Sequence, residues 1–567
     1  MTDATQGPDA KTGVTPDTGL RIVEEDLAGP VLAADGTPLR RSLNKALRRQ
    51  KLRALALIAP LLIFVLVTFI APIADMLFRS VENQIVSETL PRTVVALRDW
   101  DGEGTPDEEV FRDLARDLVI AAELKNHTRL GSRLNYETTG ASSLLRKTGR
   151  GVDDIGEELT DQFIALNPAW EEPATWIALM ADEGWIADQA EWAAEKEAAQ
   201  GPFTTREPAF RLRDGVAEML PRTADIYADF TRLIQTEDRD SPTEEEPWNI
   251  VYQALWEDLT LGPVTLPEDE PLLAEAAVAA PAFDALSVTD AFVDMDRDWA
   301  DPELWGTIKA FSGKYTAGYF LAAADFQLTA DGIEAQPEDR QIYGLLFGRT
   351  MFMSLTIMVS CILLGYPIAF LLANLPMRTA NILLILVLLP FWTSLLVRTS
   401  AWKVLLQQQG VINDILVWTG IVSNAGRLAL INNQTGTIIA MTHILLPFMI
   451  LPLYSVMKTI PPSYVRAAKS LGATNFTAFR RVYFPQSVPG IGAGCILVFI
   501  LSIGYYITPE LVGGTTGTFI SNRIAYHISS SLNWGLAAAL GTILLVVVLV
   551  LYYLYDRIVG IDNVSLS

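Results

Sequence analysis

Residues 464–473 read YVRAAKSLGA, and the same segment closes with VYFP at 482–485, whose proline lies thirteen residues beyond the glycine. The segment lies between two long apolar stretches and carries four basic side chains: Arg466, Lys469, Arg480 and Arg481. Two alanines shortly before Gly472 favour a short helix that ends at this glycine, where a left-handed backbone costs little. A basic helix–turn–helix between apolar stretches indicates a cytoplasmic loop between membrane helices. The simpler alternative is an Ala-rich interfacial helix with no partner.

The composition is that of a membrane protein with one large soluble part. Half of the residues are hydrophobic, 19% are charged and the mean hydropathy is +0.26. The net charge of −23 is unevenly distributed, because residues 82–340 hold 54 acidic and 21 basic side chains, a net of −33, and the rest carry +10. This contrast predicts an acidic soluble domain inserted into a membrane body. Such a domain would repel nucleic-acid phosphates, so nucleic-acid binding is excluded as a function.

Six uncharged windows are long enough to cross a bilayer, which takes about 20 helical residues. We expect all six to be helices, because an open backbone in lipid leaves its hydrogen bonds unsatisfied. The second and third are separated only by Arg378, which predicts a tight hairpin. The windows are 54–74, 350–377, 379–397, 428–457, 482–509 and 524–555.

Basic residues set the predicted orientation. Seven of them lie within 40–53, and with this end inside, the short loops and tails divide fourteen basic groups inside against four outside. Both termini are therefore expected in the cytoplasm, in a multi-pass inner-membrane protein. The predicted domains are a disordered cytoplasmic tail (1–50), a first transmembrane helix (51–81), an acidic periplasmic insert (82–347) and a transmembrane core with the basic loop at about 460–488 (348–567).

The insert is long enough to bury its own core, and its apolar spacing predicts helices. Thr105 to Glu108 matches a capping box with Thr105 as the N-cap. Nine of the thirteen tryptophans lie in the insert, and we interpret residues such as Trp176 and Trp185 mainly as core, with a ligand-stacking surface as the alternative. No internal repeat is evident. The insert has no cysteine, so its fold cannot depend on disulfides.

The chain contains no recognisable catalytic pattern. A phosphate-binding G-x-x-x-x-G-K-[ST] loop is missing, so we expect no ATPase site, no enzyme activity and no cofactor. The three histidines are far apart in sequence, which argues against a metal site, and His443 is interpreted as a hydrogen-bonding residue between helices. Residues 490–494 read GIGAG, and these small residues indicate close helix packing rather than a dinucleotide loop.

Several further stretches carry a family resemblance. Residues 364–370 read LGYPIAF, 389–398 read LPFWTSLLVR, 445–449 read LLPFM and 505–514 read YYITPELVGG. Together with the loop at 464–485, which resembles the EAA loop, they resemble the spermidine/putrescine-type permeases of binding-protein-dependent ATP-binding-cassette (ABC) importers. The resemblance covers residues 50–80 and about 340–560 and leaves the insert out. The implied fold is an all-α polytopic membrane protein with six transmembrane helices of the permease type and a large, mainly helical extracytoplasmic insert between the first two.

The resemblance also implies partners and a role for the loop. They are a second, similar permease subunit, two cytoplasmic ATPase subunits and a periplasmic solute-binding protein, and the imported solutes are polyamines or related cationic or amino-acid-like compounds. In this family the loop contacts the ATPase, which assigns that contact to nine residues: Tyr464, Arg466, Ala467, Ala468, Leu471, Gly472, Ala473, Val482 and Pro485. The chain departs from the pattern at Arg466, where the motif usually has Glu.

A solute path is expected near the fifth span. Glu510 follows Tyr505 and Tyr506, so a cation could meet a carboxylate and aromatic faces together, and Trp392 is assigned to the same path. The alternative for Glu510 is a solvated interfacial residue. Two other functions stay open: a membrane-anchored sensor or assembly protein with an external ligand-binding domain, and a secondary transporter. The former needs no EAA-like spacing, and the latter would show inverted-repeat hydropathy. The exact solute is beyond the sequence.

Overall fold

The computed structural model describes residues 39–199, 204–262, 270–285, 287–329 and 332–559. The chain divides into two compact units, residues 1–76 and 77–567. The predicted disordered tail lies outside the described residues up to residue 38. Helix α1 (Leu39–Val65) begins eleven residues before the predicted end of that tail at residue 50, and it is followed by a π-helical turn (Leu66–Ile70) and α2 (Ala71–Arg79). Leu, Ala, Lys and Arg dominate 39–55 and are strong helix formers, which explains the earlier start.

Fifteen short helices and one hairpin form the described part of the insert. The helices are α3 (Ile85–Thr89), α4 (Pro91–Ala96), α5 (Glu108–Glu123), α6 (His127–Leu134), α7 (Ala141–Thr148), α8 (Glu157–Leu166), α9 (Pro173–Met180), α10 (Glu183–Ala198), α11 (Val216–Met219), α12 (Pro221–Leu233), α13 (Asn249–Leu261), α14 (Pro271–Ala279), α15 (Val288–Met295), α16 (Pro302–Ala310) and α17 (Gly318–Ala323). Strands β1 (Phe326–Thr329) and β2 (Gly332–Ala335) pair antiparallel, with Phe326 opposite Ala335. The insert is thus mainly helical, as predicted.

Tryptophans are central to the core of the insert. Trp170, Trp176, Trp185, Trp299 and Trp305 are fully buried, which confirms the core interpretation for Trp176 and Trp185. The predicted capping box is wrong, because α5 begins at Glu108 with Asp107 as its N-cap. Glu108 instead accepts hydrogen bonds at the start of α15, from Ser287 Oγ (3.0 Å) and the backbone N–H of Val288 (2.7 Å). Its carboxylate caps a helix distant in sequence, which local spacing cannot indicate.

An internal repeat, not evident in the sequence, organises the insert. Residues 90–93 and 220–223 both read LPRT, and each threonine donates its N–H and hydroxyl to a buried aspartate, Asp117 or Asp258, over 2.8 to 2.9 Å. Residues 167–176 read NPAWEEPATW and 296–305 read DRDWADPELW. In both, the second indole donates to the carbonyl of the first tryptophan over 2.8 Å. The sequence expectation of no repeat is therefore corrected.

The first half of the insert contains the repeated stretches at 90–93 and 167–176, and the second half contains those at 220–223 and 296–305. Each half contributes one segment to each of two lobes. Lobe A consists of 81–123 and 288–316, and lobe B of 157–182 and 211–261, so each lobe combines a segment from both halves of the insert. In lobe A, Asn83 N donates to Lys314 O (2.9 Å), and in lobe B, Arg213 N donates to Met180 O (2.8 Å). The aromatic packing matches too, since Phe111 lies 4.9 Å from Trp305 and Tyr252 lies 5.0 Å from Trp176 between ring centroids.

The membrane body follows the insert. Its helices are α18 (Tyr343–Asn374), α19 (Met377–Leu388), α20 (Leu395–Leu405), α21 (Val411–Trp418), α22 (Gln434–Thr459), α23 (Pro462–Ser470), α24 (Asn475–Ala478), α25 (Phe484–Gly504), α26 (Ile507–Val512), α27 (Ile520–Ser529) and α28 (Trp534–Val559). Among the described residues, five helices are long and apolar enough to cross a membrane, or six if a bent pair forms one span. That pair is Met377–Trp392 with Leu395–Leu405, bent by 95°.

The bend differs from the straight span predicted over 379–397. Pro390 lies in the 3-10 turn Leu389–Trp392 and has no backbone N–H to continue a helix, and Thr393 and Ser394 are extended. Helices α18, α22 and α25 pack together around small residues. A Cβ on Gly365 would lie 3.1 Å from Met449 Cγ, and one on Gly494 would lie 2.6 Å from Met449 Sδ. The close-packing interpretation of 490–494 is confirmed.

Three contacts fix the insert to the membrane body. The Asp325 carboxylate accepts from the backbone N–H groups of Tyr343 (2.9 Å) and Gly344 (2.7 Å), so it caps α18, which begins five residues before the predicted core boundary. The Tyr319 ring packs directly on Gly535, where any Cβ would clash. Tyr136 donates its hydroxyl to the carbonyl of Ser531. The insert is therefore attached at the amino-terminal ends of two long apolar helices, α18 and α28.

Candidate functional site

The loop between α22 and α25 has a fixed local geometry. Helix α23 starts with Pro462 at its first position, where the missing N–H costs nothing. Its carboxyl end is a Schellman motif, in which Gly472 N donates to Lys469 O (3.0 Å) and Ala473 N donates to Ala468 O (3.1 Å). Gly472 has φ +89°, a conformation that favours glycine, and a Cβ there would meet nothing within 4 Å. Glycine is required here by the left-handed backbone conformation, because no neighbouring atom would clash with a side chain.

The loop exposes apolar side chains among cations. Leu471 is 89% exposed, Phe476 70% and Tyr464 52%, and no residue of α23 is buried. The four basic side chains of the loop are exposed as well. A rigid helical surface with apolar groups rimmed by charge is typical of a protein-docking site. Seven of the nine predicted contact residues form this surface around α23: Tyr464, Arg466, Ala467, Ala468, Leu471, Gly472 and Ala473.

Val482 and Pro485 belong to the second arm of the loop. That arm is α24, a π-helical turn (Phe479–Tyr483) and the start of α25, where Pro485 is the second residue. Val482 is half-buried, whereas Pro485 is exposed. These two residues therefore flank the docking surface and connect it to a membrane helix.

An aromatic cluster joins this arm to α18. The ring of Phe370 lies 5.2 Å from Tyr483 and 5.9 Å from Phe479, and Tyr366 lies 5.8 Å from Phe484. The Tyr366 hydroxyl is also 2.9 Å from Ser487 Oγ of α25. Sequence reasoning missed this cluster, although Tyr366 and Phe370 lie within the LGYPIAF stretch. The packed rings therefore connect the second arm of the loop to α18.

Three of the four predicted solute-path residues lie beside Ser521 and Asn522. The backbone leaves the helix after α25, and Asn522 Nδ2 donates both to Tyr506 O (2.9 Å) and to Glu510 Oε2 (2.7 Å). Ser521 Oγ donates to Tyr505 O (2.7 Å). The structure therefore brings Tyr505, Tyr506 and Glu510 together against the first turn of α27. Asn522 was not singled out from the sequence, because an Asn 12 residues away carries no local signal.

Helix α20 packs against this region. Thr399 Oγ1 lies 3.1 Å from Thr508 Oγ1, and Trp402 Nε1 donates to His443 Nδ1 (3.0 Å), which confirms the hydrogen-bonding interpretation of His443. Glu510 lies within α26 and is exposed. Trp392 lies at the 95° bend with 73% of its side chain exposed, and within the described residues no hydrogen bond or ring contact joins it to Glu510 or the two tyrosines. The structure does not bring Trp392 to the other three.

The described residues lack a cluster of side chains that could bind a metal ion. They contain no group of three or more His, Cys, Asp or Glu side chains placed to hold a metal ion. Cys361 and Cys495 are free thiols within α18 and α25.

A bundle of long apolar helices with an exposed, basic helical loop is the architecture of an integral-membrane transport subunit. Residues 350–560 match the family model described as "Binding-protein-dependent transport system inner membrane component". The spermidine/putrescine transport system permease protein PotB of Haemophilus influenzae is 36% identical over 222 residues, which cover 39% of this chain and 77% of that protein. The chain belongs to this family of binding-protein-dependent transport permeases, and it is therefore a permease subunit of an ABC importer in the inner membrane.

Other proteins are also similar to this chain. PotB of Escherichia coli K12 is 35% identical over 205 residues, covering 36% of this chain and 74% of that protein. The inner membrane ABC transporter permease protein YdcU of the same organism is 30% identical over 260 residues, covering 44% and 82%. A crystal structure of a bacterial alginate ABC transporter, in complex with an alginate-bound periplasmic protein, is 19% identical over 38% of this chain and 78% of that chain, with a TM-score of 0.31. Family membership implies an ATPase and a periplasmic binding protein as partners.

Proposed function

We propose that this permease imports a small cationic or amino-acid-like solute of the polyamine type, in a heterodimer with a second permease. Relatives at 35 to 36% identity are named spermidine/putrescine permeases. The exposed Glu510, held by Asn522 beside Tyr506, offers a cation a carboxylate and an aromatic face. The Asn522 hydrogen bond orients one carboxylate oxygen, so the site is organised before a solute arrives.

The loop at 460–488 couples the permease to a separate ATPase. The observation that carries this proposal is an exposed helix closed by a Schellman motif, with Leu471 almost completely exposed. A groove on the ATPase would cover Leu471, Tyr464 and Phe476 and gain the free energy of burying them. Displacement of α23 would then reach α18 and α25 through the rings of Phe479, Tyr483 and Phe370. Arg466 in place of the usual Glu favours an acidic ATPase surface at that point.

The topology that follows puts both termini and the loop in the cytoplasm and the insert in the periplasm. The insert then lies over the external mouth of the permease, attached through Tyr319, Asp325 and Tyr136. Its net charge of −33 over 82–340 would steer a basic docking surface of the solute-binding protein. We assign the insert the role of docking or positioning that protein. A purely stabilising role would show no crosslinks to it.

Substitution of one exposed leucine tests the coupling role. Leu471→Asp leaves folding unchanged, because the side chain is 89% exposed. It should weaken ATPase binding about tenfold or more, since burial of a leucine contributes about 1.5 to 3 kcal/mol. The assay is ATPase co-purification together with solute uptake in proteoliposomes. Val278→Asp is the matched control, because Val278 is 84% exposed on the insert. Equal ATPase binding by the two variants would contradict the proposal.

A further inference from the structure

A cavity of about 700 Å³ lies where the insert meets the membrane body. One wall is the start of the insert, residues 82–88, and a second is α6 with the turn that follows it, through Arg129, Arg133 and Tyr136. The third wall is the segment Ser531–Gly535, which leads into α28. This volume is typical of a small-molecule or headgroup site.

The cavity holds charges of both signs. Three guanidinium groups, of Arg79, Arg129 and Arg133, and two carboxylates, of Glu82 and Glu88, line it. The amino terminus of α28 adds positive potential through its dipole. The walls therefore suit a zwitterion whose anionic part outweighs or equals its cationic part. A polyamine, with cations alone, could pair with the two carboxylates but would have no anionic group for the guanidinium groups.

Arg133 is held rigidly in the wall. Its guanidinium carbon lies 4.4 Å from the ring centroid of Phe311 and 4.8 Å from that of Tyr319. Nη1 donates to Glu137 (3.0 Å), but Nη2 is buried without a hydrogen-bond partner among the described residues, and the residue is only 3% exposed. A buried cationic donor without a partner is costly. An anionic ligand in this cavity would lower that cost by its charge.

The rim of the cavity is apolar and faces the end of a membrane helix. Trp534, the first residue of α28, is 51% exposed, and Leu532 is 61% exposed. Leu532 also has φ +57°, a strained conformation for a leucine, which keeps this exposed side chain beside the cavity. Tryptophan is enriched where membrane helices enter the headgroup region. The cavity thus opens at the depth of lipid headgroups.

We propose that this cavity binds the headgroup of a zwitterionic aminophospholipid from the leaflet on the insert side. The phosphodiester pairs with Arg129 and Arg133, the primary ammonium pairs with Glu82 and Glu88, and the glycerol region rests on Trp534 and Leu532. Free inorganic phosphate shares the first contact only and gains nothing from the apolar rim. The bound lipid would bridge the insert and the membrane body and so hold the insert at a set height above the membrane.

Lipid retention by the intact transporter tests this site. The assembled complex is exchanged into detergent with phosphatidylethanolamine, phosphatidylcholine or phosphatidylglycerol, and bound lipid is counted by native mass spectrometry. Phosphatidylethanolamine should bind best, and Arg129→Gln should weaken it about tenfold, as expected for one charge-assisted hydrogen bond. Arg146→Gln is the matched control, because Arg146 is exposed on α7 and, among the described residues, its guanidinium bonds to Ser142 of the same helix. Glu82→Gln with Glu88→Gln should shift the preference to phosphatidylglycerol.

Two results would overturn the proposal. The first is equal retention of phosphatidylethanolamine by the Arg129→Gln and Arg146→Gln complexes. The second is displacement of the lipid by millimolar inorganic phosphate, which would identify a plain anion site. A photoreactive residue at position 532 supplies an independent measurement: it should form phospholipid adducts, whereas one at Val278, exposed on the insert, should not. Adducts of equal yield at both positions would also count against the site.

Discussion

Gly472 is the residue at which backbone strain alone should control coupling. Its φ of +89° closes the Schellman motif, and a Cβ there would contact nothing within 4 Å. Substitution therefore costs only the left-handed conformation, about 1 to 2 kcal/mol for an ordinary L-residue and less for Asn. If the loop rearranges to relieve this strain, the population of the native helix end falls about 5- to 30-fold. The exposed side chain of Leu471 would then leave its docking position.

We expect a graded series in the ratio of solute imported to ATP hydrolysed. Gly472→Asn should keep most of the coupling, Gly472→Ala should lose more, and Gly472→Val should lose most, because a β-branched residue tolerates positive φ least. Gly472→Asp, compared with the isosteric Gly472→Asn, isolates the effect of a negative charge on the same backbone. All four should insert into the membrane normally.

The assay is uptake and ATP hydrolysis by the reconstituted transporter. Gly348→Val is the control, because Gly348 lies in α18 with ordinary helical φ and also has nothing within 4 Å of a Cβ. The reasoning is refuted if Gly472→Val couples as well as Gly348→Val, or if Asn is worse than Val.

Three further outcomes are expected. Glu510→Gln and Asn522→Ala should both lower uptake without changing the solute affinity of the isolated binding protein, and unchanged uptake over a range of solute concentrations would make Glu510 a solvated interfacial residue. Replacing the exposed run Glu244–Glu246 by glutamine should slow association of the binding protein at low salt and leave little difference at high salt. The reason is that surface charges are screened beyond about 10 Å near 0.1 M salt. An association rate that does not change with salt concentration would argue against electrostatic docking. Burial opposes ionisation of Glu108, but hydrogen bonds from Thr289, Val288 and Ser287 outweigh it and lower its pKa. Its contribution to the stability of the insert should thus be complete above the unfolded-state pKa of about 4.3 and be lost as pH falls through the lower folded-state value, which thermal melts of the chain and of Glu108→Gln at several pH values would test.

The membrane spans and the loop could be predicted because their causes are local. A span needs about 20 apolar residues in succession, and a Schellman end needs a glycine after a short helix, so both are written in neighbouring residues. The bend at Pro390 was missed, because a hydropathy pattern contains no information on the direction of the backbone. Asn522 was missed as the partner of Glu510, because the two meet only when α26 and α27 pack.

The insert combines features that follow from local sequence with features that depend on contacts between distant residues. The sequence alone determined that 82–340 forms an acidic, largely helical domain with a tryptophan-rich core, since composition and apolar spacing suffice for that. The internal repeat of the insert became recognisable only from matching contacts in the tertiary structure. A helical core requires apolar side chains at given positions but allows different apolar residues there, so the two copies differ in sequence. Only the LPRT turns and the paired tryptophans, whose hydrogen bonds demand particular atoms, kept a recognisable sequence. The exchange of segments between lobes A and B depends on contacts between residues distant in sequence, such as Asn83 with Lys314 and Trp176 with Tyr252, which no local pattern encodes.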